Sequence, residues 1–216
     1  MKKTTLLKNL ILDKEILVMP GAHDALSAKI IEKAGFKAVT MGGYAASAAS
    51  LAKPDVSLLT LTEYVHIVRH IVEAVDLPLF VDGDTGHGNV TNVQRTVRVF
   101  EQAGVAGLFI EDQVFPKRCG HMEGKQIIPT LEMVAKIKAA VDARVDPDLV
   151  IMARTDAVAV SGIDEAIERG NRYAEAGADL IFVEAPTSKE EMARVNREIQ
   201  APTTAIQIEG GKTPLL

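Results

Sequence analysis

VFEQAGVAGLFIED, residues 99–112, decides the fold. Its first half has the apolar spacing of an amphipathic helix end, with Val99 and Phe100 before Ala103-Gly104. Its second half is a short apolar run, Gly107–Ile110, that ends in two acids, Glu111 and Asp112. A glycine just past a helix takes the left-handed conformation that closes the last turn. The same phrase recurs as IIEKAGFKAVTM (30–41) and RYAEAGADLIFVEA (172–185), placing Gly35, Gly104 and Gly177 at near-equal intervals. These are α-to-β junctions, with about two βα units between successive ones.

The spacing predicts strands at Ile16–Met19, Ala38–Met41, Leu79–Asp82, Gly107–Ile110, Leu149–Ala153, Leu180–Val183 and Thr203–Gln207. They lack polar alternation, as strands covered on both faces do. Helices are expected between them. Asp24 caps one with Leu26, Ile30 and Ile31 on its inner face. Thr60 with Glu63, and Ser188 with Glu191, form capping-box patterns. Asn92 and Thr130 open two more helices. Strictly alternating strands and helices imply a parallel sheet, either doubly wound or a (β/α)8 barrel. Polar residues follow almost every strand instead of gathering at one switch point, which selects the barrel with its site on the C-terminal face. No linker or composition shift divides residues 1–216, so one barrel domain is expected. Such a barrel takes about 250 residues. The 216 residues here supply seven expected strands, so the domain reads as C-terminally incomplete, lacking its last strand and helices.

Composition excludes several classes. A hydrophobic fraction of 47% with 25% charged residues excludes disorder. No apolar run is long enough for a transmembrane helix, and the first fifteen residues lack a cleavage site. A net charge of −5 without a basic block argues against nucleic acid or an anionic membrane as partner. One cysteine makes no internal disulfide and suits a cytoplasmic setting.

The chemistry sits at the strand ends. VDGDTGHGN (81–89) carries Asp82 and Asp84 two apart before a Gly-rich turn, a pattern that suits Mg²⁺ or equally a cap plus a turn. Adding Glu111 and Asp112 from the next strand would bring up to four carboxylates near one point and favours the metal. Glu111 would hold or orient water on the ion. The loop PKRCGHMEGK (116–125) places Cys119 between Lys117, Arg118 and His121, where positive charge would lower the thiol pKa. Arg154 in Ala153–Asp156 suits bidentate carboxylate recognition or a local acid such as Glu184. His66 and His70, one helical turn apart without a third ligand, read as solvent-facing, and His23 as a helix-start residue.

VDGDTGHGN, IEDQ, PKRCGH and MARTDA together resemble the isocitrate lyase/phosphoenolpyruvate mutase superfamily along essentially the whole chain, and the K-R-C-G-H loop resembles its carbon–carbon lyase branch. The resemblance implies a Mg²⁺ site (Mn²⁺ as substitute) at Asp82, Asp84 and Glu111, and a homotetramer acting on a small carboxylate. It implies catalytic roles for Cys119, His121 and Arg154, and ligand contacts from Gly42, Gly43, Tyr44, Asp55, Gly120, Arg154, Glu184 and Gln207. The implied reaction splits a 2-hydroxy acid of the 2-methylisocitrate or 2,3-dimethylmalate type, releasing pyruvate, with Cys119 as general acid. Phosphonomutase-like, oxaloacetate decarboxylase or hydrolase chemistry is the alternative, and a non-catalytic binding barrel a third. The chain departs from the family pattern at Gly42 (often Ser), Gly83 (usually Ala, so a looser strand end is expected) and Ile206 (commonly Asn).

Overall fold

The computed structural model describes residues 1–215. The chain runs α1 (Lys3–Leu12), α2 (Ala25–Lys33), β1 (Val39–Met41), α3 (Gly43–Leu51), α4 (Leu61–Ala74), β2 (Leu79–Asp82), α5 (Val90–Ala103), β3 (Gly107–Glu111), α6 (Thr130–Ala143), β4 (Val150–Thr155), α7 (Val158–Ser161), α8 (Ile163–Glu175), β5 (Leu180–Val183), α9 (Lys189–Glu198) and β6 (Thr203–Thr204). The six strands pair in sequence order and in parallel. That order, without a switch point, curls the sheet into a half-barrel of the (β/α)8 kind.

The two faces of the sheet are separate apolar layers, as the strand period of two dictates. Val81, Leu108, Ile110, Ile151, Ala153, Ile181 and Val183 point outward and join the helices in the larger core. Phe80, Phe109, Met152, Leu180 and Phe182 point inward, with Leu7 of α1 beneath them. The inward positions one pleat further along β2, β3 and β4 carry Asp82, Glu111 and Arg154. An apolar plug therefore underlies a polar mouth.

Gly35, Gly104 and Gly177 close their helices at φ of 88°, 91° and 105°, as the repeated phrase requires. Asp24 and Thr60 form full capping boxes with Ser27 and Glu63. Ser188 caps α9 by accepting from the Glu191 N–H, but the Glu191 carboxylate turns to Thr187. The cap of α5 is Asn89, with Asn92 reciprocating from the third helical position, so the helix begins earlier than its spacing predicts.

Several expectations fail. Residues 16–19 form no strand, and Ile16 is 86% exposed. The chain meets the sheet just beyond, where the Thr40 N–H donates to the Pro20 carbonyl and the Ala22 N–H to the Thr40 carbonyl. At the other edge only Thr203–Thr204 of the expected Thr203–Gln207 pairs. Leu26 and Ile30 lie on the outer face of α2, and its inner face is made by Ala28 with the expected Ile31 partly buried against the core. An apolar run alone does not say which side of a helix the sheet will cover. Among the described residues no helix is long and apolar enough to cross a membrane.

Candidate active site

The register of β3 and β4 pairs Glu111 with Arg154, so both side chains emerge on the inner face at one level. Glu111 is fully buried, and neither carboxylate oxygen accepts a hydrogen bond. It is in ion-pair range of Arg154, whose Nη1 stands 3.4 Å from Oε2. Burial pushes the Glu111 carboxyl well above its ordinary range, and Asp156 and Asp82 add to this against the pull of Arg154 and Lys117.

Asp82 ends β2 and is fixed by two backbone N–H donors. Gly43 donates to Oδ2 at 2.8 Å and Asp84 to Oδ1 at 2.7 Å. Asp84 adopts a left-handed backbone, φ 53°, which turns its carboxylate toward the Ser57 hydroxyl at 3.1 Å. Burial pushes its pKa up to about 6, Asp82 and Asp55 adding to the effect. The Gly83 strand end is not loose. Its N–H donates to the Phe109 carbonyl at 2.8 Å, and a Cβ there would stand 2.4 Å from that same oxygen. Glycine lets β2 approach β3 this closely.

Asp55 arrives from the segment after α3 and lies buried beside Asp82. Between them stands Lys117, its Nζ 2.6 Å from Asp55 and 3.9 Å from Asp82. Burial opposes the Lys117 charge, but Glu111, Asp82, Asp84 and Asp55 outweigh it and hold the ammonium protonated. In the sequence Lys117 stands out only as a neighbour of the cysteine. Its place among the acids depends on the loop folding back over the mouth.

That loop carries Cys119, whose N–H donates to the Asp55 carbonyl at 3.0 Å. The thiol does not behave as its cationic neighbours suggest. Burial pushes its pKa up and Asp55 adds to this, while a backbone N–H at His121 and the charges of Lys117 and Arg154 pull less strongly the other way. Burial outweighs the pull of these cations, so the cysteine stays a thiol. Gly120 packs so closely that a Cβ would sit 2.4 Å from Glu184 Cδ and 2.5 Å from Arg154 Nη2. His121 Nε2 lies 3.4 Å from Glu184 Oε1, and its Nδ1 accepts from the Lys212 N–H at 3.3 Å.

Arg154 gives its Nε and Nη2 edge to Asp156, at 3.0 Å each. Its Nη1 is left facing Glu111 at 3.4 Å and Glu184 at 3.3 Å. The guanidinium rests over Phe182 and Phe109, 5.3 and 5.8 Å from the ring centroids. Asp112, the expected fourth carboxylate, is elsewhere. One residue beyond Glu111, it points outward, where it accepts from Thr155 Oγ1, Tyr173 OH and Arg169 Nη1 at 2.8, 2.8 and 3.1 Å. Its other oxygen takes the Asp156 N–H at 2.9 Å.

Other expected residues lie at the margin. Gly42 and Gly43 form the start of α3 beside Asp82, but Tyr44 is 65% exposed. Gln207 lies exposed on the segment after β6. His66 and His70 are exposed with rings 4.4 Å apart, and His23 is exposed beside Asp24. His87, which in the sequence is only one residue of the Gly-rich turn, belongs to the site. It lines the cleft with Asp55, Asp82 and Asp84, its Nδ1 is 3.2 Å from Thr96 Oγ1, and burial pushes its pKa down to about 4.

Among the described residues no three His, Cys, Asp or Glu side chains converge at metal-ligand spacing, and Lys117 stands between Asp55 and Asp82. The donor chemistry nevertheless fits a hard divalent cation. All the candidates are carboxylates, two buried oxygens of Glu111 have no hydrogen-bond donor, and Asp84 is held up near 6 by burial, with Asp82 and Asp55 adding to it.

Comparison with known proteins shows which family and fold the chain resembles. The profile of the phosphoenolpyruvate phosphomutase family matches residues 7–215. A 2,3-dimethylmalate lyase of Eubacterium barkeri is 57% identical over 97% of this chain and 73% of its own length. A 2-methylisocitrate lyase of Aeropyrum pernix is 48% identical over 97% of this chain and 67% of its own length. Among solved structures, oxaloacetate acetylhydrolase with the inhibitor 3,3-difluorooxalacetate superimposes with a TM-score of 0.95 at 34% identity, over 100% of this chain and 74% of that one. Phosphonopyruvate hydrolase with oxalate and Mg²⁺ does so with a TM-score of 0.85 at 33% identity, over 94% of this chain and 71% of that one.

Proposed function

The chain belongs to the phosphoenolpyruvate mutase/isocitrate lyase superfamily, and on that premise we propose that it is a divalent-metal-dependent carbon–carbon lyase. Its substrate is a substituted malate of the 2,3-dimethylmalate or 2-methylisocitrate type, cleaved to pyruvate and a second carboxylate. One observation carries this reading. The loop Cys119–His121 joins Asp55 on one side of the mouth to Arg154 and Glu184 on the other, and so sets a protonated thiol beside the acids and the guanidinium.

Asp82, Asp84 and Glu111 would hold Mg²⁺, or Mn²⁺ in its place. The ion would supply Lewis-acid polarisation of the substrate's 2-oxygen. The chain's own residues do the remaining work. Arg154 offers Nη1 to the carboxylate of the departing fragment, where charge builds as the bond breaks. The Cys119 thiol delivers the proton to the new carbanion, which needs an acid that is still protonated at working pH. His121 and Glu184 hold the loop in register with Arg154. Gly42 and Gly43, with the backbone of Tyr44, form the wall on the pyruvate side, and Gly120 leaves the room the fragment needs. A homotetramer with one such site per chain belongs to the same reading, and light scattering in solution measures it.

The test is to incubate the protein with 2,3-dimethylmalate, 2-methylisocitrate and oxaloacetate, with Mg²⁺ or with chelator, and to assay pyruvate and oxalate. Pyruvate from a methylated acid, lost with chelator and with Cys119→Ala, supports the lyase. The likeness to oxaloacetate acetylhydrolase favours one second reading, hydrolysis of a 2-oxo diacid. Oxalate release that survives Cys119→Ala would establish it. No turnover of any of the three would make the domain a binding barrel.

A further inference from the structure

Lys125 closes the loop PKRCGHMEGK, and its ammonium group is buried with a side chain only 1% exposed. It makes two bonds. One goes to the Gly120 carbonyl, in the middle of the loop. The other goes to Asp156 Oδ1 at 2.8 Å. Asp156 is the same carboxylate that grips Arg154, and its backbone N–H is held in turn by Asp112. A buried lysine is costly unless its charge is paired, and here the partner is a group that itself orients the guanidinium.

We propose that Lys125 is a positioning residue that ties the Cys119 loop to Arg154 through Asp156, so that thiol and guanidinium keep one fixed separation. Other side chains hold the loop at other points: Gln113 bonds the backbone of Arg118, and His121 pairs with Glu184. Losing Lys125 would leave Gly120 packed against Arg154 with nothing drawing its carbonyl toward β4. The effect on turnover rests on the lyase reading, but the state of the loop can be measured without substrate.

The test compares the full chain with Lys125→Met and Lys125→Arg. One readout is alkylation of Cys119 by iodoacetamide in the absence of substrate. The other is kcat and KM with the acid that is turned over. The expected result for Lys125→Met is alkylation faster by about tenfold and kcat lower by about 100-fold with KM little changed, since a displacement of about 1 Å costs that much. Lys125→Arg restores most of both, which a merely structural role would not require. Unchanged alkylation in a folded Lys125→Met overturns the proposal, whatever substrate the protein uses. If Lys125→Met does not fold, Lys125→Gln keeps a neutral donor and gives the same two readouts, with the same result overturning it. If none of the acids is turned over, the lyase reading fails while alkylation still decides the role of Lys125.

Discussion

Asp156 holds Arg154 by one edge, accepting from Nε and Nη2 at 3.0 Å each, so that only Nη1 faces the mouth of the half-barrel. Arg154 lies near the end of β4 and Asp156 just beyond it, two residues on, so their side chains meet on one side of the chain. The pair is buried, and Arg154 with Lys125 holds the Asp156 carboxyl below its ordinary range although burial works the other way. The arginine therefore reaches the site already oriented and with one donor group uncommitted to Asp156.

Asp156→Asn tests that arrangement. It keeps the shape and removes the charge that two buried cations share. Breaking a buried ion pair from one side costs about 3–5 kcal/mol, and urea denaturation should show a loss of that order. Turnover should fall by about 100-fold as the guanidinium loses its orientation. A variant as stable and as active as the parent would remove Asp156 from the site's framework.

Cys119 should alkylate with a pH midpoint above that of an ordinary thiol, because burial pushes its pKa up. The Asp55 charge adds to that rise while Lys117 opposes it. Asp55→Asn removes the first and frees the second, so the midpoint should move down. The rate of iodoacetamide modification between pH 6 and 10 measures both shifts.

Gly120→Ala should abolish turnover without unfolding the protein. The new methyl group would stand 2.4 Å from Glu184 and 2.5 Å from Arg154, so the loop must move out. Overpacking of this kind costs about 1–3 kcal/mol, which a fold of this size survives. Circular dichroism should show native structure, and the pyruvate assay a loss of at least about 100-fold.

Acid stability should expose two opposed groups. His87 is pushed down to about 4, so it contributes stability above its unfolded value near 6.5 that is lost as pH falls toward 4. Asp84 is pushed up to about 6, so it contributes stability below its unfolded value near 3.8 that is lost as pH rises through 6. In chelator the two partly cancel between pH 4 and 6. His87→Gln should make Tm fall more steeply with rising pH in that window, and Asp84→Asn should make it fall less. Added Mg²⁺ should restore stability at the upper end, where it competes with no proton. Scanning calorimetry at a series of pH values checks each slope.

Much of this was legible in the chain. The Ala-Gly junctions located β3 and β5 because a helix closed by a left-handed glycine and followed by an apolar run has few other readings. Asp82, Glu111 and Arg154 were legible for the same reason, since a polar residue that ends a buried strand must face the barrel mouth or a partner. Asp112 was misread because one step along a strand reverses the face, and only the neighbouring helix shows that Arg169 and Tyr173 wait there. The thiol departs from expectation because the loop is folded down and partly buries it, and burial outweighs the pull of Lys117 and Arg154.

The sequence by itself determined the βα alternation, the parallel order and the identity of the groups at the strand ends, because each follows from local rules of period, capping and turn. It did not determine which of those groups are paired with one another. That was decided by tertiary structure, which folds residues 115–125 across the strand ends and places Lys117 among the acids and Lys125 on Asp156. The physical reason is that ion pairing acts through space. Sixty-two residues separate Lys117 from Asp55 and thirty-one separate Lys125 from Asp156, and no local pattern spans such distances.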